Sequence, residues 1–169
     1  MLMNARLYEA ELRQCFHEIE YDLRYQFING CWGCTDFSLP DNNYDSFWFA
    51  SVDEYNAVVG FITANFDRVA GRVSGLAAAN FFLGSSDTTF IKDLCQFIDD
   101  LFMKYNFNSI EWHCYTDNPA CRGYQKLVKR FGGSVIGPRH QTAVLMDGKL
   151  HDSYCFEILK ENYLKNRRI

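Results

Sequence analysis

Over residues 4–28 the apolar positions Leu7, Leu12, Phe16, Ile19, Leu23 and Phe27 recur at three-to-four spacing, with Glu, Arg and Gln between them. That period predicts one amphipathic helix. The pattern breaks in NGCWGCTDFSLPDNNYD, where Gly, Asn, Asp and Pro mark a loop. SFWFASV (46–52) and NAVVGFITANF (56–66) then read as strands joined by a turn at 53–56. A second turn at 67–71 leads into RVSGLAAANFFL (72–83), a third strand of small and apolar residues, so the three can form an antiparallel meander. After GSSDTT the period changes. Phe90, Ile91, Leu94, Phe97, Ile98, Leu101 and Phe102 form a helical stripe that ends near Tyr105. A short strand follows at 109–114, then a helix in DNPACRGYQKLVKRFGG (117–133). RHQTAVLMDGKLHDSYCFEIL (139–159) reads as a β-hairpin turning on Asp147-Gly148. The order helix, three strands, helix, strand, helix, hairpin, without internal repeat or linker, predicts a mixed α/β chain in a single domain.

Composition narrows the function classes. The chain has 169 residues, 48% hydrophobic, 22% charged and 17% aromatic, which is globular rather than disordered. A net charge of −4 argues against nucleic-acid binding, which needs a basic footprint. If the substrate is charged, a cation such as an amine is the easier guest. The seven cysteines are odd in number and scattered through apolar stretches, as reduced core cysteines are. The opening MLMNARLYEAELRQ has no signal-peptide core, and no apolar run approaches membrane-spanning length. A cytoplasmic protein without a membrane partner is the expectation.

The helix at 117–133 is the best-punctuated element. Asn118 can cap with its side-chain oxygen, Pro119 suits the first helical position, and Gly132-Gly133 offers the φ > 0 stop. Tyr124 lies among basic and polar residues inside it.

DNPACRGYQKLVKRFGGSVIG, followed by LMDGKLHDSYCFEIL, resembles the corresponding region of the GNAT superfamily of acyl-CoA-dependent N-acetyltransferases. The resemblance runs from about Ser46 to the C-terminus. It implies a mostly antiparallel central sheet flanked by helices, with a C-terminal hairpin. It also implies acetyl-CoA as co-substrate and direct transfer of the acetyl group to a primary amine. By the same resemblance Asn118 lies beside the pantetheine arm, and Tyr124 is the general acid for the departing thiolate. The backbone of Ala79, Asn80 and Phe81, on the strand that splays in the family, meets the acyl group. The phosphates fall to Gly84, Ser85, Ser86, Thr88 and Thr89.

This chain departs from the family in two places. The pyrophosphate motif, Gln/Arg-x-x-Gly-x-Gly/Ala, falls on Ser86 to Ile91, so Thr89 and Ile91 fill both small positions and Asp87 adds a negative charge. Asn118 and Tyr124 are also one residue closer than is usual, a rotation of about 100° on a helix.

Each candidate has a plainer reading. Tyr124 is also an ordinary amphipathic residue, and GSSDTT a turn with a helix cap. No carboxylate lies on RVSGLAAANFF, so the familiar base position is empty. Glu111 and His113 share a strand face and could act through a water, or simply form a polar outer face. His140 and His151 read as exposed. Cys31 and Cys34 have C-x-x-C spacing, but with no second pair nearby they read as loop cysteines rather than a zinc or redox site. Trp32 and Trp48 suit an acceptor pocket or the core equally. The alternative function is an inactive binding or assembly module of the same fold. The missing glycines and absent base favour it, and the aromatic content suits a homodimer face.

Overall fold

A computed structural model describes residues 1–28, 37–41, 44–83 and 88–167. Its frame is a seven-stranded sheet with the order β1-β2-β3-β4-β5-β7-β6. β1 (Leu2–Asn4), β2 (Ser46–Val52), β3 (Val58–Asp67) and β4 (Arg72–Asn80) pair antiparallel in sequence order. The turns between them fall where Asp recurs. Asp53 Oδ1 accepts from the N–H groups of Tyr55 and Ala57, and Asp67 Oδ1 from those of Val69 and Ala70. Asn56 and Gly71 take positive φ there.

The single N-terminal helix expected over 4–28 is broken. β1 comes first, then a 3-10 turn (Ala5–Tyr8) and α1 (Glu9–Ile19), which buries Leu12, Phe16 and Ile19. Asp22 is extended (φ −89°, ψ 113°), and its carboxylate accepts from the Arg24 N–H at 2.9 Å. This local bond competes with helix continuation, while the apolar period runs straight through it. The chain restarts as a 3-10 turn (Leu23–Tyr25) and is helical again at 26–28.

α2 (Thr89–Met103) buries Phe90, Leu94, Phe97, Ile98, Leu101 and Phe102 of its predicted stripe, whereas Ile91 is exposed. β5 (Ser109–Tyr115), α3 (Ala120–Arg130), β6 (Ser134–Val144) and β7 (Leu150–Leu159) follow. The hairpin turn carries Gly148 at φ +74°, at the predicted place. β6 begins five residues before the predicted hairpin. It is an edge strand of the sheet and tolerates Gly137 and Pro138, which hid it in the sequence. A last helix, α4 (Lys160–Asn166), was also hidden because Tyr163 is its one buried residue. The Tyr163 ring lies 4.6 Å from both Phe102 and Phe131, and its hydroxyl donates to Asp99 at 2.7 Å.

Core residues divide between the two faces of the sheet. Ile62, Ala64, Phe97, Leu101, Ile110 and Phe156 belong to the cluster under α2 and α3. Ala50, Phe61, Ala79 and Phe81 belong to the cluster with Phe16 of α1 and Tyr25. Among the described residues no helix is long and apolar enough to cross a membrane.

Candidate functional site

The site arises from a failure of pairing. β4 and β5 run parallel but pair only at Arg72↔Ser109 and Val73↔Ile110. On the other side of β4 the register with β3 jumps from Phe66↔Val73 to Asn65↔Gly75, which leaves Ser74 as an extra residue. Such a bulge bends and re-aims a strand. Beyond it β4 and β5 diverge, and a cavity of about 210 Å³ opens between them.

Ala77, Ala78 and Asn80 line one wall of the cavity, and Trp112, His113 and Cys114 the other. Asn118, Pro119, Ala120 and Tyr124 close it from α3. Tyr25, Phe27 and Ile28 approach from the α1 side. The Trp112 ring stacks on Phe156 at 5.4 Å and meets Tyr124 edge-on at 5.7 Å. Among the described residues, the indole Nε1 of Trp112 is the one buried side-chain polar atom without a hydrogen-bond partner. An unmet buried donor costs on the order of 1–3 kcal/mol.

Asn118 caps as its sequence suggests. Its Oδ1 accepts from the Ala120 N–H at 2.9 Å, its carbonyl accepts from the Cys121 N–H, and Gly132 stops the helix region at φ +66°. Asn118 and Tyr124 line the same cavity despite the short spacing between them. Asn118 lies ahead of the first helical turn. Its direction is set by the bond from its N–H to the Tyr115 carbonyl, not by helical rotation.

Of the three residues expected at the acyl group, only Asn80 lines the cavity. Ala79 and Phe81 are buried in the α1-side cluster. The Phe81 N–H donates to the Val59 carbonyl of β3, and its own carbonyl accepts from the Tyr25 hydroxyl at 2.7 Å. Backbone groups alternate sides along a ladder, so the amides turned away from β3 toward the splay belong to Ala78 and Asn80. The predicted strand end at Leu83 is also corrected. β4 stops at Asn80, whose Oδ1 accepts from the Phe82 N–H.

Thr88 and Thr89 lie at the N-terminus of α2, and Ile91 in its first turn is 54% exposed. Gly84, Ser85, Ser86 and Asp87 lie outside the described residues, as do Cys31, Trp32 and Cys34. Trp48 packs against Phe61 at 5.6 Å and does not line the cavity.

Glu111 and His113 share a face of β5, with Glu111 Oε1 3.6 Å from His113 Nε2. Glu111 Oε2 accepts from Arg72 at 2.8 Å. Cys155 of β7 stands in register with His113. Burial, and then the nearby Glu111 carboxylate, push its thiol up to about 11.

His140 is exposed beside Asp152, as expected. His151 is not exposed. It is 5% accessible, with Nδ1 2.8 Å from Asp117 and Nε2 3.0 Å from Asp147. The Asp147 bond, and with it Asp117, raises its pKa against an opposing desolvation. Phe27 packs edge-on to its ring at 6.1 Å, and the Asp147 N–H donates to Gln26. This imidazole therefore ties the hairpin turn to the loop before α3 and to the 26–28 segment at the cavity. The sequence signal was weak, a His close after an Asp-Gly turn.

No protein-family model matches the sequence. No curated protein matches it in sequence either. Solved structures do match in shape. A GCN5-related N-acetyltransferase from Brucella melitensis superposes with a TM-score of 0.68 at 19% identity, over 96% of this chain and 76% of that one. A chimera of the Vibrio cholerae spermidine N-acetyltransferase SpeG and hSSAT gives 0.66 at 16% identity, over 98% and 99%. The spermidine/spermine N-acetyltransferase SpeG from Vibrio cholerae gives 0.61 at 14%, over 94% and 79%. Likeness at these identities lies in the path of the backbone, and by it the chain has the fold of the GCN5-related N-acetyltransferases.

Proposed function

We propose that the chain is a single-domain N-acetyltransferase that takes an acetyl group from acetyl-CoA and passes it directly to a primary amine. The observation that carries this reading is the cavity in the β4–β5 splay, with the amides of Ala78 and Asn80 on one side and Asn118 and Tyr124 on the other. Bound acetyl-CoA would supply an activated thioester carbonyl. The Ala78 and Asn80 amides polarise that carbonyl by donating to its oxygen as negative charge develops there. The amine enters from the Tyr25 and Phe27 side, and its nitrogen bonds to the carbonyl carbon. As the carbon–sulfur bond breaks, its electron pair goes to sulfur, and the Tyr124 hydroxyl gives the thiolate a proton. The proton lost by the amine goes through water to His113, the only imidazole among the described lining residues. Asn118 holds the pantetheine arm, and the N-terminus of α2 with Thr88 and Thr89 faces the phosphates.

A second reading, an inactive module of this fold, rests on Thr89 and Ile91 in the first turn of α2, where the family has small residues. Calorimetric titration with acetyl-CoA, and with CoA for comparison, separates the two. The expected result is micromolar binding, about −8 kcal/mol. No heat and no thermal stabilisation would hand the lead to the module.

A further inference from the structure

Glu111, His113 and Cys155 bring three different donor atoms to one place on the sheet. His113 and Cys155 are cross-strand partners of the β5–β7 pair, and Glu111 is two residues along on the same face. Their ligand atoms all lie within 4.8 Å of one another. In a tetrahedral zinc site with bonds of about 2.0–2.3 Å, neighbouring ligand atoms stand roughly 3.3–3.7 Å apart. Glu111 Oε1 and His113 Nε2, at 3.6 Å, are already at that separation.

The two oxygens of Glu111 are divided between roles. Oε2 accepts from Arg72 at 2.8 Å, which fixes the carboxylate plane, and Oε1 is the oxygen turned to His113. A ligating carboxylate held by an outer partner is the usual construction of a metal site.

We propose that Glu111 Oε1, His113 Nε2 and Cys155 Sγ bind a thiophilic divalent cation, zinc by preference. The mixed oxygen, nitrogen and sulfur set suits zinc and disfavours magnesium or calcium, which take oxygen alone. On binding, the Cys155 sulfur–hydrogen bond breaks, its electron pair goes to the metal, and the proton leaves to solvent. His113 lines the cavity, so the ion sits at the wall of the splay. The acetyl transfer does not require the ion, and while Nε2 holds it that nitrogen cannot take the amine's proton, so metal binding competes with the base role of His113.

The test is a cobalt(II) titration of the full chain, followed by absorbance and then displaced with zinc. Wild type should develop a saturable thiolate-to-cobalt charge-transfer band at one ion per chain. Cys155→Ser should abolish the band. His113→Ala, at an exposed position that leaves the core intact, should weaken affinity at least tenfold and decides the matter if Cys155→Ser fails to fold. The Cys31→Ser/Cys34→Ser double variant should keep the band. No band in wild type, a band unmoved in His113→Ala, or a band lost with Cys31 and Cys34 would each overturn the site.

Discussion

Tyr124 illustrates what a single side chain owes to its surroundings. It is half-buried, packed against Trp112 and Phe156, and shares a cavity with Asn118. If it donates the proton to the leaving thiolate, Tyr124→Phe removes that proton and keeps the ring packing. Turnover should then fall about a hundredfold or more, while acetyl-CoA affinity stays within a few-fold. Equal turnover in the variant would remove Tyr124 from the mechanism. At this scale the sequence was informative wherever a residue's role is local. Asn118 caps from its own side chain, and Asp53 and Asp67 organise their own turns. It was uninformative for His151, because the two carboxylates that bury and charge it come from separate loops. It did not show that Ala79 and Phe81 turn away from the cavity, because a shift of one residue along a strand exchanges the side to which the backbone points.

At the scale of elements, the clamp of His151 on the hairpin turn makes a pH-dependent contribution to stability the expected outcome. With a proton on each nitrogen, His151 donates to Asp117 and Asp147 at once. Its folded pKa is raised above 6.5, so its stabilisation is fully present below that value and is lost as pH rises through the raised folded value. Asp147 is lowered, chiefly by the His151 bond. Its contribution is present above the usual carboxylate pKa and is lost as pH falls through the lowered value. The stability difference between wild type and His151→Gln, from thermal unfolding, should therefore shrink as pH is raised from about 6 to about 9. A constant difference across that range would refute the clamp. The other elements differ in how openly the sequence marks them. The stripe of α2 was legible because that helix buries one face, and the turns of the meander because Asp53 and Asp67 bond their own backbone. The break at Asp22 was not, since one Asx bond interrupts a helix without disturbing its apolar period. The β4 bulge had a faint sign in Gly75, a glycine inside an apolar strand.

Over the whole molecule, the two halves of the sheet are joined at β4–β5 by two register pairs at one end, while a cavity fills the other. A ligand lying in that cavity touches both halves. Acetyl-CoA should therefore slow amide exchange at Ala78 and Asn80 on β4 and at residues 112–115 on β5 together, and hydrogen-exchange mass spectrometry would read this. Protection limited to the N-terminus of α2 would mean that the nucleotide binds but the arm does not enter the splay.

The sequence by itself determined the order of elements from β2 to the hairpin, the meander, most of the α2 stripe, the capped α3 and the hairpin turn. Each of these is fixed by periodicity, capping or turn chemistry within a few residues of chain. Only the tertiary structure decided that β4 leaves β5 beyond Val73, and that Asn118 and Tyr124 meet at the opening. It also decided that His151 is buried between Asp117 and Asp147, and that Glu111, His113 and Cys155 converge. The contacts that decide most of these arrangements join Val73 to Ile110, Asp117 to His151, and Glu111 and His113 to Cys155, residues 34 to 44 positions apart, and no local pattern in the chain encodes the register between distant strands.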